Sequence, residues 1–161
     1  MSNNLIAIDI KFECKDATKA LERLKAELKS RTVIMPGIGE YMVNQAKDRI
    51  SSRKNTAPDG SQWPSLAADT IKAKKKAGKG DKGILVFSER LHDSIGFQVT
   101  SDDTVSIGSS MLYAMIHQRG GKAGKGLKVT IPARPYIGLS AEGKRKLESK
   151  VVNWIKAILE G

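Results

Sequence analysis

The chain has 161 residues, 40% of them apolar and 28% charged, with a formal net charge of +11. That length fits one domain over residues 1–161, able to remove roughly two thirds of its unfolded surface from water. No apolar run approaches the ~20 residues of a membrane-spanning helix, which excludes a helical membrane protein.

In chain order, LIAIDIKFE (residues 5–13) places Ile6, Ile8, Ile10 and Phe12 on one face, the period-two pattern of a half-buried strand. The N-terminus lacks the basic region and long apolar stretch of a secretory leader, and Cys14 is the single cysteine. Synthesis in a reducing cytoplasm is therefore expected, with Cys14 a small buried side chain rather than a nucleophile. Asp16 is placed to cap a helix carrying Leu21, Leu24 and Leu28 as a core stripe. Pro36 and Gly37 then mark a break. After it Ile38, Met42, Ala46 and Ile50 recur every fourth residue beside Val43, predicting a second helix to about Arg53 that packs on the first at an angle. Met35 and Met42 fill core space in this reading.

Residues 55–83 are rich in turn formers, with a tight turn at Asp59-Gly60 and a short helix from about Leu66 to Lys76. Nearly thirty residues is long for an idle loop. Ser88 is placed to cap two helical turns that carry Leu91 and Ile95 on one face and end at Gly96. FQVT and TVSIG alternate around Ser101-Asp102-Asp103 as a hairpin. Residues 111–118 form a short helix, LKVTI a strand, and Pro132-Ala133-Arg134-Pro135 an extended stretch, because each proline fixes its own φ and restricts its predecessor. Ser140 caps a final helix with Glu142 in its first turn. Its stripe of Leu147, Val151, Trp154, Ile155 and Ile158 is expected to close the core.

Charge is concentrated in two segments. Lys72, Lys74, Lys75, Lys76, Lys79 and Lys82 stand against Asp81 alone, a net of +5. Arg119, Lys122, Lys125, Lys128 and Arg134 face no acid, another +5. Glycine beside lysine resists both helix and strand, so both segments read as long flexible basic loops. Such loops either simply solvate the chain or meet a polyanion, nucleic acid or an acidic protein face. Neither holds an aromatic residue, so a DNA contact would be to phosphate and not to stacked bases.

Chemistry is sparse. His92 and His117 are too few for a histidine-rich metal site, and no cysteine pair assists them. Asp102-Asp103 falls in a predicted turn, where aspartate suits the backbone. GKGDKG and GGKAGKG lack the GxxxxGK[ST] spacing of a phosphate loop. A histidine base beside a basic loop would make a metal-dependent nuclease, yet no carboxylate set accompanies either histidine. The residues point to no catalytic group, no metal and no cofactor.

Four strings carry more. Asp59-Gly60-Ser61-Gln62-Trp63-Pro64-Ser65-Leu66 leads to Thr70-Ile71. Leu91 to Ile95 follows, then Tyr113-Ala114 with Ile116-His117-Gln118 and Gly120-Gly121, and Ile131-Pro132-Ala133-Arg134-Pro135-Tyr136-Ile137-Gly138. In this order, over about residues 58–140, they resemble the phage virion morphogenesis family, the tail completion proteins of Mu-like and P2-like tailed phages. The lysine-rich stretch after Ile71 matches least.

The resemblance implies an α+β fold, a small antiparallel sheet packed with an N-terminal helix pair and a C-terminal helix. It implies a structural, non-enzymatic protein for tail completion and head-tail joining. Such a subunit would sit in the virion at the neck or tail end, assembled in the bacterial host cytoplasm. It would form a homo-oligomeric ring, sixfold to match the tail tube, and meet the tail tube or terminator and the head connector. Lys72, Lys74, Lys75, Lys76, Lys79, Lys82, Lys122, Lys125 and Lys128 would line the lumen, touching DNA phosphate or an acidic partner. Tyr113 and Tyr136 belong to the motif blocks. His117 and Gln118 are expected to anchor a turn by hydrogen bonds. Trp63 pins the long loop to its own core or to a neighbour. Arg134 is a buried ion-pair partner or a subunit contact. The alternative reading is a sequence-nonspecific DNA-binding protein.

Overall fold

The computed structural model describes residues 19, 21–26, 34–101 and 104–160. Residues 21–26 are helical (α1). The helix α2 (Ile34–Ser51) is followed by α3 (Ala68–Lys76), α4 (Arg90–Asp93) and the strands β1 (Ile95–Ser101) and β2 (Thr104–Ser109). Then come α5 (Ala114–Arg119), β3 (Gly121–Ala123), a 3₁₀ turn (Lys125–Leu127), β4 (Val129–Ile131) and α6 (Ala141–Glu160). The fold is α+β, and the described residues hold two antiparallel two-stranded ladders, β1-β2 and β3-β4.

α2 organises the rest. Its buried positions Gly39, Val43, Ala46 and Ile50 form one stripe, and Ala46 and Ile50 are wholly inaccessible. Trp63, Val86, Leu91, Ile95, Ala114 and Tyr136 complete the core around Val43, Ala46 and Ile50. Pro36 and Gly37, expected to mark a break, lie inside the first turn of α2. There the missing proline N–H has no helical partner to lose. The two glycines serve packing on nearly opposite sides of the helix. A Cβ on Gly37 would stand 2.7 Å from the Trp154 ring of α6, and one on Gly39 would stand 2.3 Å from Cδ2 of Phe97 in β1.

The β1-β2 register pairs Phe97 with Ile107 and Val99 with Val105, the alternation expected of this hairpin. Residues 88–95 depart from expectation. Helix α4 is a single turn entered through Glu89 in the left-handed conformation (φ 61°), with no side-chain cap from Ser88, and Ile95 opens β1. Leu91 and Ile95 are both buried all the same, because helix and strand alike turn them toward α2. At α6 the Ser140 hydroxyl accepts from the Gly143 amide at 2.9 Å, the expected cap. Leu147, Val151, Trp154 and Ile155 are only half-buried. The core is closed instead by the loops that carry Trp63 and Tyr136, while α6 rests on one flank of α2, where Tyr41 Oη donates to the Gly143 carbonyl at 3.1 Å.

Leu21 is exposed and Leu24 half-buried, so the expected α1 stripe is not a core stripe over the described residues. The strand expected at 5–13, Cys14, the Asp16 cap, Leu28, Asp102-Asp103 and the side chain of Ile158 lie outside the described residues.

Candidate functional site

The Asp59-Gly60 turn forms as its residues dictate. Gly60 takes a positive φ of 88°, and Asp59 Oδ1 accepts from the Ser61 amide and hydroxyl. An isolated bridge pairs Thr56 with Gln62 and delivers Trp63 to the core. The indole Nε1 donates to the Pro135 carbonyl at 2.9 Å, so Trp63 pins the loop within its own chain.

Extended backbone that is buried needs partners for its polar groups, and two prolines deny residues 132–138 a strand ladder. Side chains from elsewhere replace it. The Gln118 Oε1 accepts from the Tyr136 and Ile137 amides at 2.9 and 3.0 Å, and its Nε2 donates to the Ile137 carbonyl at 3.0 Å. Arg49 Nη1 donates to the carbonyls of Tyr136 and Gly138 at 2.7 and 3.3 Å. The Arg134 amide donates to the His117 carbonyl at 2.7 Å. Tyr136, 1% exposed, donates from its hydroxyl to the Ala114 carbonyl at 3.2 Å, and burial raises its pKa.

Arg134 is 4% exposed and, among the described residues, is not the ion-pair partner that was one of its two expected roles. Its Nε and Nη2 donate to the carbonyls of Pro64 and Ser65, both at 2.8 Å. Three motif blocks thus converge on one knot: the DGSQWPS loop, Tyr113 to Gln118, and Arg134 to Gly138. Gln118 makes internal hydrogen bonds, as expected, but to the extended backbone at Tyr136 and Ile137 and not to a turn. His117 anchors through its main chain, while its ring meets Tyr113 edge-on at 5.8 Å and its Nδ1 is buried without a partner among the described residues. Burial and the nearby Arg134 guanidinium hold the His117 pKa below its usual value, so the ring is neutral near pH 7.

The nine lysines divide. Lys72, Lys75 and Lys76 are exposed on α3, and Lys122, Lys125 and Lys128 are exposed around the β3-β4 hairpin. Lys74 is 4% exposed, and its ammonium donates to the carbonyls of Lys82, Gly83 and Val86 at 3.2, 2.7 and 2.9 Å. Lys79 donates to the Phe87 carbonyl and lies over that ring, and Lys82 sits 3.7 Å from Glu89. Lys74 and Lys79 therefore tie down the segment they belong to. The expected loops also carry regular structure. Lys72 to Lys76 fall within α3, and Gly121-Lys122-Ala123 pairs with Val129-Thr130-Ile131. α3 holds no glycine and falls within the helix expected from about Leu66 to Lys76, whereas at β3 a partner strand outweighs local glycine propensity.

The sequence did not single out Arg49, and it placed Lys74 among the lumen-lining lysines without showing its buried role. Arg49 looked like an ordinary basic residue at a helix end, and Lys74 was indistinguishable from its lysine neighbours. His92 Nδ1 lies 2.8 Å from Asp93 Oδ1 at the surface. Among the described residues no three His, Cys, Asp or Glu side chains gather as metal ligands, and no helix is long and apolar enough to cross a membrane.

Residues 12–156 match the model of the phage virion morphogenesis family. The chain is 28% identical over 156 residues to the Mu-like prophage FluMu G protein 2 of Haemophilus influenzae, covering 97% of this chain and 100% of that protein. It is 25% identical over 144 residues to the putative capsid assembly protein G of Escherichia phage Mu, covering 87% and 88% of the two chains. No solved structure matches. The match spans the knot, both basic segments and nearly all of α6, and the chain belongs to the phage virion morphogenesis family.

Proposed function

We propose that this chain is a non-enzymatic structural subunit that completes the phage tail and joins it to the head, assembling as a ring at the neck or tail end of the virion. The family match over residues 12–156 carries the reading, and the capsid-assembly name of the phage Mu relative agrees with a role in building the particle. The six exposed lysines Lys72, Lys75, Lys76, Lys122, Lys125 and Lys128 supply charge for DNA phosphate in the lumen or for an acidic face of the connector. The knot around Tyr136 gives a rigid base from which both lysine-bearing segments project. Assembly takes place in the host cytoplasm.

Light scattering coupled to size exclusion at two salt concentrations, alone and with added tail tubes or connector, tests the proposal. A discrete assembly near six copies supports it; one copy under every condition refutes it.

The exposed lysines also favour a second reading, a sequence-neutral DNA-binding monomer. Its affinity would fall with salt at about 0.9 log unit per log unit for each phosphate neutralised. A nuclease would convert supercoiled plasmid on addition of magnesium or manganese, and the structural reading expects the plasmid intact.

A further inference from the structure

A cleft of about 390 Å³ opens between α3, the 84–91 segment and α5. Ile84, Leu85, Phe87, Leu91 and Tyr113 give it apolar walls, and Lys74, Arg134 and His117 also line it. Among the described residues neither buried cation has a carboxylate within ion-pair distance, and Lys74 feels only the more distant charge of Asp81. The three Lys74 ammonium donors are met by three carbonyls. Arg134 uses Nε and Nη2 on the carbonyls of Pro64 and Ser65, and no acceptor among the described residues meets its Nη1. The one acid on the lining is Glu89, exposed and facing Lys82. Burying a cation without a directly paired carboxylate is costly, so a cleft that keeps two such cations offers an anion a favourable seat.

We infer that this cleft is a docking site for a segment of a partner protein that presents a carboxylate next to a bulky apolar side chain. The carboxylate takes the free edge of the Arg134 guanidinium in the field of Lys74, and the apolar group lies against Phe87, Leu91 and Tyr113. Protein is favoured over nucleic acid because the recessed cations sit behind apolar walls in a chamber the size of one or two side chains. A duplex backbone meets the exposed lysines more readily. The inference concerns the single chain and does not rest on ring formation, so the two readings fail separately.

Titration of the full-length ¹⁵N-labelled chain with N-acetyl-leucine, N-acetyl-leucinamide and inorganic phosphate tests it, reading the Arg134 Nε–H and the amides of Thr70, Leu91 and His117. N-acetyl-leucine should shift these resonances saturably, with the neutral amide weaker by about tenfold or more for loss of a charge-assisted hydrogen bond, and phosphate weaker by about tenfold for loss of the apolar contact. Phe87→Ala, at an exposed wall position, should weaken the carboxylate probe while leaving the fold intact, and Arg134→Gln should abolish its advantage over the amide. Equal shifts with the amide would reduce the cleft to an apolar pocket. Equal shifts with phosphate would make it a general anion site, and no shift would remove it; each of these three results overturns the inference.

Discussion

Replacing Lys74 by methionine separates a structural lysine from a ligand-facing one. Methionine keeps the length and apolar stem but removes the ammonium that meets the Lys82, Gly83 and Val86 carbonyls. The Val86 bond lies in fully buried surroundings, while those to Lys82 and Gly83 are partly accessible. One carbonyl therefore incurs a full desolvation penalty of about 1–3 kcal/mol, and the other two recover much of their loss from water. The recovered cost of burying the ammonium offsets part of the rest. A net loss of about 1–3 kcal/mol follows, roughly 2–12 °C in Tm for a chain of this size. Urea unfolding and thermal melts of wild type, Lys74→Met and the exposed control Lys72→Met measure it. The control should stay within about 0.5 kcal/mol of wild type. If Lys74→Met does so as well, the reasoning fails, and Lys74 returns to the pool of lysines available to a polyanion.

Gly39→Ala should destabilise by about 1–2 kcal/mol although alanine is the better helix former by about 1 kcal/mol, because its Cβ would press on Phe97. In a Phe97→Leu background the same change should cost much less, which a double-mutant cycle would show. Gln118→Leu strands the Tyr136 and Ile137 backbone groups and should cost about 2–4 kcal/mol by chemical denaturation. His117 has a depressed folded-state pKa, so the unfolded chain binds the extra proton first as pH falls. Stability should be flat above about pH 6.5 and decline below it until the folded-state pKa is passed, by at most ~1.4 kcal/mol per pH unit. His117→Gln should remove that component, and an unchanged pH profile in this variant would show that other groups cause it.

Local chemistry made much of this protein legible in its sequence. The β1-β2 hairpin followed from strict alternation, the α6 start from Ser140 and Glu142, and the turn before Trp63 from Asp59-Gly60, because each is set by a few adjacent residues. The family was legible from the order of the motif blocks around Trp63, His117 and Tyr136. Tertiary structure decided what those blocks do. The two prolines of Pro132 to Pro135 announce extended backbone, but only the fold brings Gln118, Arg49 and Trp63 to satisfy it. Pro36-Gly37 reads locally as a break, yet contacts from Trp154 and Phe97 on two sides of α2 make small residues useful there. Lys74 belongs by composition to a solvated basic run, and helical phase alone turns it inward while Lys72, Lys75 and Lys76 stay in water. Composition counts charges, whereas burial is settled by which surface a helix lays against its neighbours, and that surface is built from residues far away in the chain.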